Sequence, residues 1–188
     1  MALLFVLRSA PAAVDAPAAL PAPRVATPPV FHEAVDGQTY ANADLGFRLR
    51  APENWTLVLG ARPRDGTPYE GLVVKMSPPA GNDGDALRPF VSVVKRSLPA
   101  GASDDPLDFL RRESADARRT LLSGPSIVVV SGRKAARVSF ESGTLRAIQV
   151  VRVTPGGALI VTAAAPPSRF PALASTFEDI LASLRFES

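Results

Sequence analysis

The chain has 188 residues, 46% of them hydrophobic and 21% charged, with a formal net charge of +3 and no cysteine. That length predicts one globular unit with a tail, and the composition belongs to a chain that can bury a core. Without cysteine, disulfides, thiolate metal sites and cysteine nucleophiles are excluded, and 21 basic residues dispersed among 18 acidic ones argue against a nucleic-acid surface.

Ala2 to Leu7 form a short apolar run, followed by small residues around Ser9-Ala10-Pro11-Ala12 that resemble a signal cleavage site. No basic residue precedes the run, so it reads as a partial signal. Pro11 to Pro29 are dominated by Ala and Pro, a composition that favours extended, solvated chain over a packed core. Residues 1–34 are therefore expected to be an apolar start plus a disordered linker, and residues 35–188 a single domain. No stretch is long and apolar enough to span a bilayer as a helix.

From Val35 onward the pattern is that of strands with two helices. Gln38 to Ala41 and Gly46 to Arg50 are predicted to form a tight hairpin across Asn42, Ala43, Asp44 and Leu45, where Asn and Asp supply turn chemistry. Pro52, Glu53 and Asn54 make a bend that folds Trp55, the only tryptophan, back onto one end of a core. Thr56 to Ala61, Gly71 to Ser77 and Phe90 to Ser97 follow as strands separated by Gly, Pro and Asp clusters. A first helix is expected to start at the N-cap Asp105 with Pro106 in its first turn and to run past Leu121 to Gly124. Leu107, Leu110, Ser114, Ala117 and Leu121 then share one face, and Arg118 and Arg119 fall in its last turn.

Four strand-like runs come next: Ser126 to Ser131, Lys134 to Ser142, Leu145 to Thr154 and Ala158 to Ala165. Short turns containing Gly132, Gly143 and Gly156 join them into an antiparallel meander. Leu145 to Thr154 and Ala158 to Ala165 are apolar on both faces at their centres, which requires cover on both sides of the sheet. The last helix supplies one cover, with Ser168 as the expected N-cap and Phe170, Leu173, Phe177, Ile180 and Leu184 on its apolar stripe. The fold class expected is α+β, an antiparallel sheet of six or seven strands with helices on both faces, an α/β/α sandwich.

Three segments resemble the PsbP-like family, whose fold is shared with the Mog-type Ran-binding proteins and with bacterial envelope lipoproteins. They are Tyr40-Ala-Asn-Ala-Asp-Leu-Gly-Phe47 with Pro52 and Trp55, the helix start Pro106-Leu107-Asp108-Phe109-Leu110, and the close Phe177 to Phe186. The resemblance covers Val35 to Ser188 and implies binding rather than chemistry. Its matched residues are scaffold: a turn glycine, a corner tryptophan and a docking helix. No lipid-attachment cysteine is present.

Chemistry is sparse in the sequence. His32 is the only histidine, no G-x-S-x-G elbow occurs, and Ser131-Gly132 and Ser142-Gly143 read as hairpin turns. Asn82-Asp83-Gly84-Asp85 lacks the glutamate that an EF-type calcium loop needs near its twelfth position, and reads as a polar turn. No catalytic residue, cofactor site or metal site is assigned, and the chain is not expected to be an enzyme. Arg111, Arg112, Arg118 and Arg119 are the candidate partner-binding residues, an anionic-partner face on the first helix. The function expected is a non-enzymatic binding or scaffold domain, exported and docking onto a protein complex of the bacterial cell envelope, with peripheral envelope association and a periplasmic location. The alternative is a cytoplasmic chaperone or adaptor that shields an apolar segment of a client protein.

Overall fold

A computed structural model describes residues 32–62, 69–79, 87–115 and 118–187. Its strands form two antiparallel sheets. The small sheet has the order β1-β2-β3-β11, from Glu33–Asp36, Thr39–Asn42, Phe47–Arg50 and Arg185–Phe186. The large sheet has the order β4-β5-β6-β10-β9-β8-β7. Its strands are β4 Thr56–Leu59, β5 Gly71–Ser77, β6 Phe90–Arg96, β7 Arg119–Val130, β8 Arg133–Ser142, β9 Leu145–Thr154 and β10 Gly157–Ala165. Helix α1 is Pro106–Ser114 and helix α2 is Phe170–Ser183.

β10 shows why two covers are needed. Leu159, Val161, Ala163 and Ala165 join the core beneath α2, while Ala158, Ile160 and Ala164 join a second core beneath α1. A central strand buried on both faces reads as continuous apolar sequence, and the two helices do lie on opposite faces. The α2 side carries an additional layer, because Tyr40, Phe47 and Leu49 of the small sheet enter the same core as Phe177, Ile180 and Leu184. The seven-stranded sheet with a helix on each face is the one expected, and the first hairpin lies in a second, four-stranded sheet.

Trp55 is where the sequence placed it. Asn54 has φ 67°, a left-handed turn conformation that Asn tolerates better than most residues. The turn delivers the indole into the α2-side core, edge-on to Phe177 at 6.4 Å and 89°.

Several boundaries differ from expectation. α1 ends at Ser114, and Arg119–Val130 form a twelve-residue strand instead of a helical extension to Leu121. Helix propensities differ by only a few tenths of a kcal/mol per residue, whereas pairing with Glu141 and Ser142 completes the ladder along β8. Gly124, expected as a helix terminator, lies between Ser123 and Ser126, where the β7–β8 register shifts. α2 is not capped by Ser168; the amides of Arg169 and Phe170 donate instead to the Pro166 carbonyl at 2.9 and 3.0 Å. After α2, Leu184 turns extended and Phe186 pairs with Phe47, so the last apolar residue docks as a strand. Finally, β1 begins at Glu33, two residues before the expected change of pattern, and the Glu33 side chain is 4% exposed. It accepts a hydrogen bond from the Tyr40 hydroxyl at 2.8 Å and is paired to Arg62. The Asn82 to Asp85 turn lies outside the described residues.

Candidate functional site

Among the described residues, β7 is an outer strand of the large sheet, paired to β8 on one side only. It ends at Ser131-Gly132, whose φ values of 51° and 74° make a two-residue turn of the type that matches strand twist. The residues flanking such a turn, Val130 and Arg133, exchange both backbone hydrogen bonds. Counting back along the alternating ladder, Val128 and Ser126 also bond to β8. Ile127 and Val129 therefore turn their N–H and C=O groups to the open edge.

Their side chains are also in solvent. Val129 is 72% exposed, and Leu121, Leu122 and Ile127 are 43% exposed each. Ile127 and Val129 stand opposite Ala136 and Lys134, and Leu121 opposite Phe140, so these three side chains share the face that α1 covers. An exposed apolar edge is a template for strand addition, and proteins commonly blunt it with bulges or proline. β7 is blunted in this way only in its middle, at the register shifts around Gly124 and Pro125. The segment Ser126–Val130 remains regular.

The four arginines singled out by sequence do not form one helical face. Arg111 and Arg112 are exposed on α1, with Arg111 3.4 Å from Asp108. Arg118 is exposed between the helix and β7. Arg119 opens β7, and its guanidinium lies 4.5 Å over the Phe140 ring and 3.9 Å from Glu113. Glu113 also pairs with Arg96 at 2.8 Å, so Arg119 ties α1 to the sheet rather than offering a free cation. Sequence reasoning missed Ile127 and Val129, although the run Ile127-Val-Val-Val130 was visible. Four apolar residues in a row resemble a central strand, and only topology puts them at an edge.

Two concavities lie elsewhere among the described residues. A shallow groove of about 420 Å³ runs between Pro52-Glu53 and α2, lined also by Arg50, Asp179 and Ser183. Ser183 Oγ there accepts from the Arg50 amide at 3.0 Å and donates to the Ile180 carbonyl at 2.6 Å, a structural role. A cavity of about 110 Å³ lies at the other end of α2's side of the sheet, beside Lys95 and Arg152. His32 is held by Asp44, which accepts from its backbone N–H and lies 2.9 Å from its Nδ1. These bonds hold the Asp44 carboxyl below its ordinary range, the backbone contact contributing most. No group of three or more metal-ligating side chains is found among the described residues.

No family model matches the chain, and no curated protein matches it in sequence. Structural similarity is clear nonetheless, and it defines the class first: an antiparallel α+β protein with the PsbP-like fold. The solution structure of cyanobacterial PsbP from Synechocystis sp. PCC 6803 matches with a TM-score of 0.52 and 14% identity, over 79% of this chain and 91% of that one. A crystal structure of a Pseudomonas aeruginosa protein of unknown function matches with a TM-score of 0.51 and 14% identity, over 69% and 95%. The resemblance read from the sequence thus agrees with the fold. Among the described residues, no helix is long and apolar enough to cross a membrane.

Proposed function

We propose that this is a non-enzymatic binding domain of the bacterial cell envelope, which docks onto a protein complex by accepting an extended segment of a partner at the open edge of β7. The observation that carries this reading is the regular stretch Ser126–Val130, where outward backbone groups coincide with exposed Ile127 and Val129. Strand addition uses main-chain hydrogen bonds for affinity and alternate side chains for specificity. The occupant is a partner strand with apolar residues at every second position toward the α1 face. Acidic flanks suit Arg111, Arg112 and Arg118, while Arg119 has a structural role. Export is supported by the apolar run and the Ala- and Pro-rich segment before Glu33. Likeness to PsbP, at 14% identity, supports the fold and not the partner.

The test is photocrosslinking in cells from position 129 of the full chain, with a Val129→Pro variant beside it. Proline removes an N–H that β8 does not use and is tolerated on edge strands, so the fold survives while pairing is blocked. The reading expects crosslinks from position 129 to one segment of an envelope protein, and loss of that protein from Val129→Pro pull-downs. Crosslinks to a second copy, or a partner retained by Val129→Pro, would overturn it; a cytoplasmic client would make the domain a chaperone or adaptor.

A further inference from the structure

At the end of the large sheet, the β9–β10 turn lies beside two cations that have no carboxylate partner among the described residues. Lys95 of β6 and Arg152 of β9 stand on either side of Leu159 of β10 in one cross-strand row. Both side chains therefore leave the sheet on the same face, the one roofed by the small sheet. Lys95 is 7% exposed, and its ammonium donates to the Gly156 carbonyl. The Arg152 guanidinium sits 5.0 Å over the Phe186 ring and donates to the Glu187 carbonyl at 3.3 Å.

The two cations line the cavity of about 110 Å³, together with Asp44, Thr154 and Leu159. Among the described residues, Asp44 is the one carboxylate on its wall, and it is engaged by the amide and ring of His32. Glu70 acts on Lys95 from beyond ion-pair distance and is itself held by the Ser97 amide and hydroxyl. Gly157, at φ 118°, has no room for a Cβ between Lys95 and the Arg96 carbonyl, so the β10 wall fixes where the ammonium sits.

An ammonium buried against a single carbonyl keeps an uncompensated charge, a costly arrangement unless an anion completes it. Two cations facing one carboxylate leave the cavity wall net positive, and a phosphate oxyanion offsets that charge while accepting from both donors. Guanidinium adds a planar fork of donors that suits phosphate oxygens. We infer that this cavity binds a small oxyanion, phosphate or a phosphate monoester, between Lys95 and Arg152. This site is separate from the β7 edge, so either reading can fail without the other.

The experiment is thermal unfolding and calorimetric titration of the full chain with inorganic phosphate, against chloride at matched ionic strength. A ligand bound only by the folded state raises Tm with concentration, so a phosphate-dependent, chloride-independent rise is expected. Lys95→Met and Arg152→Gln should each weaken phosphate binding roughly tenfold or more, as loss of a charged hydrogen-bond donor does, while a change at the exposed Arg88, Arg88→Gln, leaves it unchanged. Lys95→Met replaces a buried charge by an apolar chain of similar length, so its Tm without phosphate should equal or exceed the parent's. Should that variant fail to fold, Arg152→Gln decides alone. Titration with glycerol 3-phosphate separates the sources: equal binding points to the phosphate end of a larger molecule, and loss of binding to the free ion. No phosphate effect in the parent, or one that survives both substitutions, overturns the inference.

Discussion

The two faces of the large sheet are covered by different means. On one, the fourteen-residue α2 and the four-stranded small sheet bury Trp55, Phe170 and Phe177 in mutual ring contact, together with Tyr40 and Phe47. On the other, the nine-residue α1 contributes Phe109 and Leu110, beside a cross-strand row that includes Ser92, Thr162 and Gln149. Gln149 Nε2 donates to Thr162 Oγ1 at 3.1 Å, and its Oε1 has no partner among the described residues. The first face is a closed core. The second is thinner and gives way to the exposed edge at β7.

That contrast makes its largest prediction at the aromatic cluster. Trp55→Ala and Phe177→Ala should each destabilise the protein by about 3 to 5 kcal/mol in chemical denaturation, as truncation of buried aromatics does. The pair should be non-additive, since the rings touch. A loss below about 1 kcal/mol for Trp55→Ala would mean that the indole is available to a partner rather than committed to the core.

Phe109→Ala should cost less, about 3 kcal/mol, at the low end of the range for such truncations. A two-turn helix on a single layer can shift to fill part of the space, whereas α2 is held between sheet and sheet. Equal losses at Phe109 and Phe177 would break the comparison and show that α1 is as firmly seated as α2. Smaller still is Val129→Asp, which should change stability by no more than about 0.5 kcal/mol, because the side chain is in solvent. A substantial loss of Tm there would show that the edge is covered in the folded chain and cannot receive a partner.

The thick face was also the legible one. The Phe170, Phe177 and Ile180 stripe, the Asn54-Trp55 corner and the double-sided apolarity of β10 are local patterns, and each is realised in the structure. What sequence could not show is set by distant pairing. Leu121 fits a helical stripe with Leu107 and Leu110, yet strand pairing with Phe140 of β8 outweighs that small preference. Leu184 reads as the tail of a helical stripe, yet it turns extended so that Phe186 can pair with Phe47. Glu33 looks like linker until Tyr40 and Arg62 hold its carboxylate. The candidate site was least legible, because an edge is a property of strand order. The arginines chosen from helical spacing, Arg111, Arg112, Arg118 and Arg119, are divided between α1, the chain after it and β7.

The smallest effect concerns acid, and it tests the ties that join loop to sheet rather than either core. Glu70 precedes β5 and accepts from the Ser97 hydroxyl at 2.7 Å and the Ser97 amide at 2.8 Å. These bonds, the hydroxyl's first, hold its carboxyl below the ordinary range, with Lys95 and Arg96 adding attraction. A carboxylate whose folded pKa is depressed binds protons more readily unfolded than folded. Its stability contribution is thus fully present above the ordinary glutamate value of about 4.3 and is lost as pH falls through the lower folded value. Glu70→Gln cannot titrate, so its Tm should fall less steeply than the parent's below about pH 4. The offset should be small, since the group is exposed and screened by solvent. An acid limb unchanged by the substitution would show that the Ser97 bonds do not distinguish the folded state, and that acid sensitivity resides in other carboxylates such as Asp44.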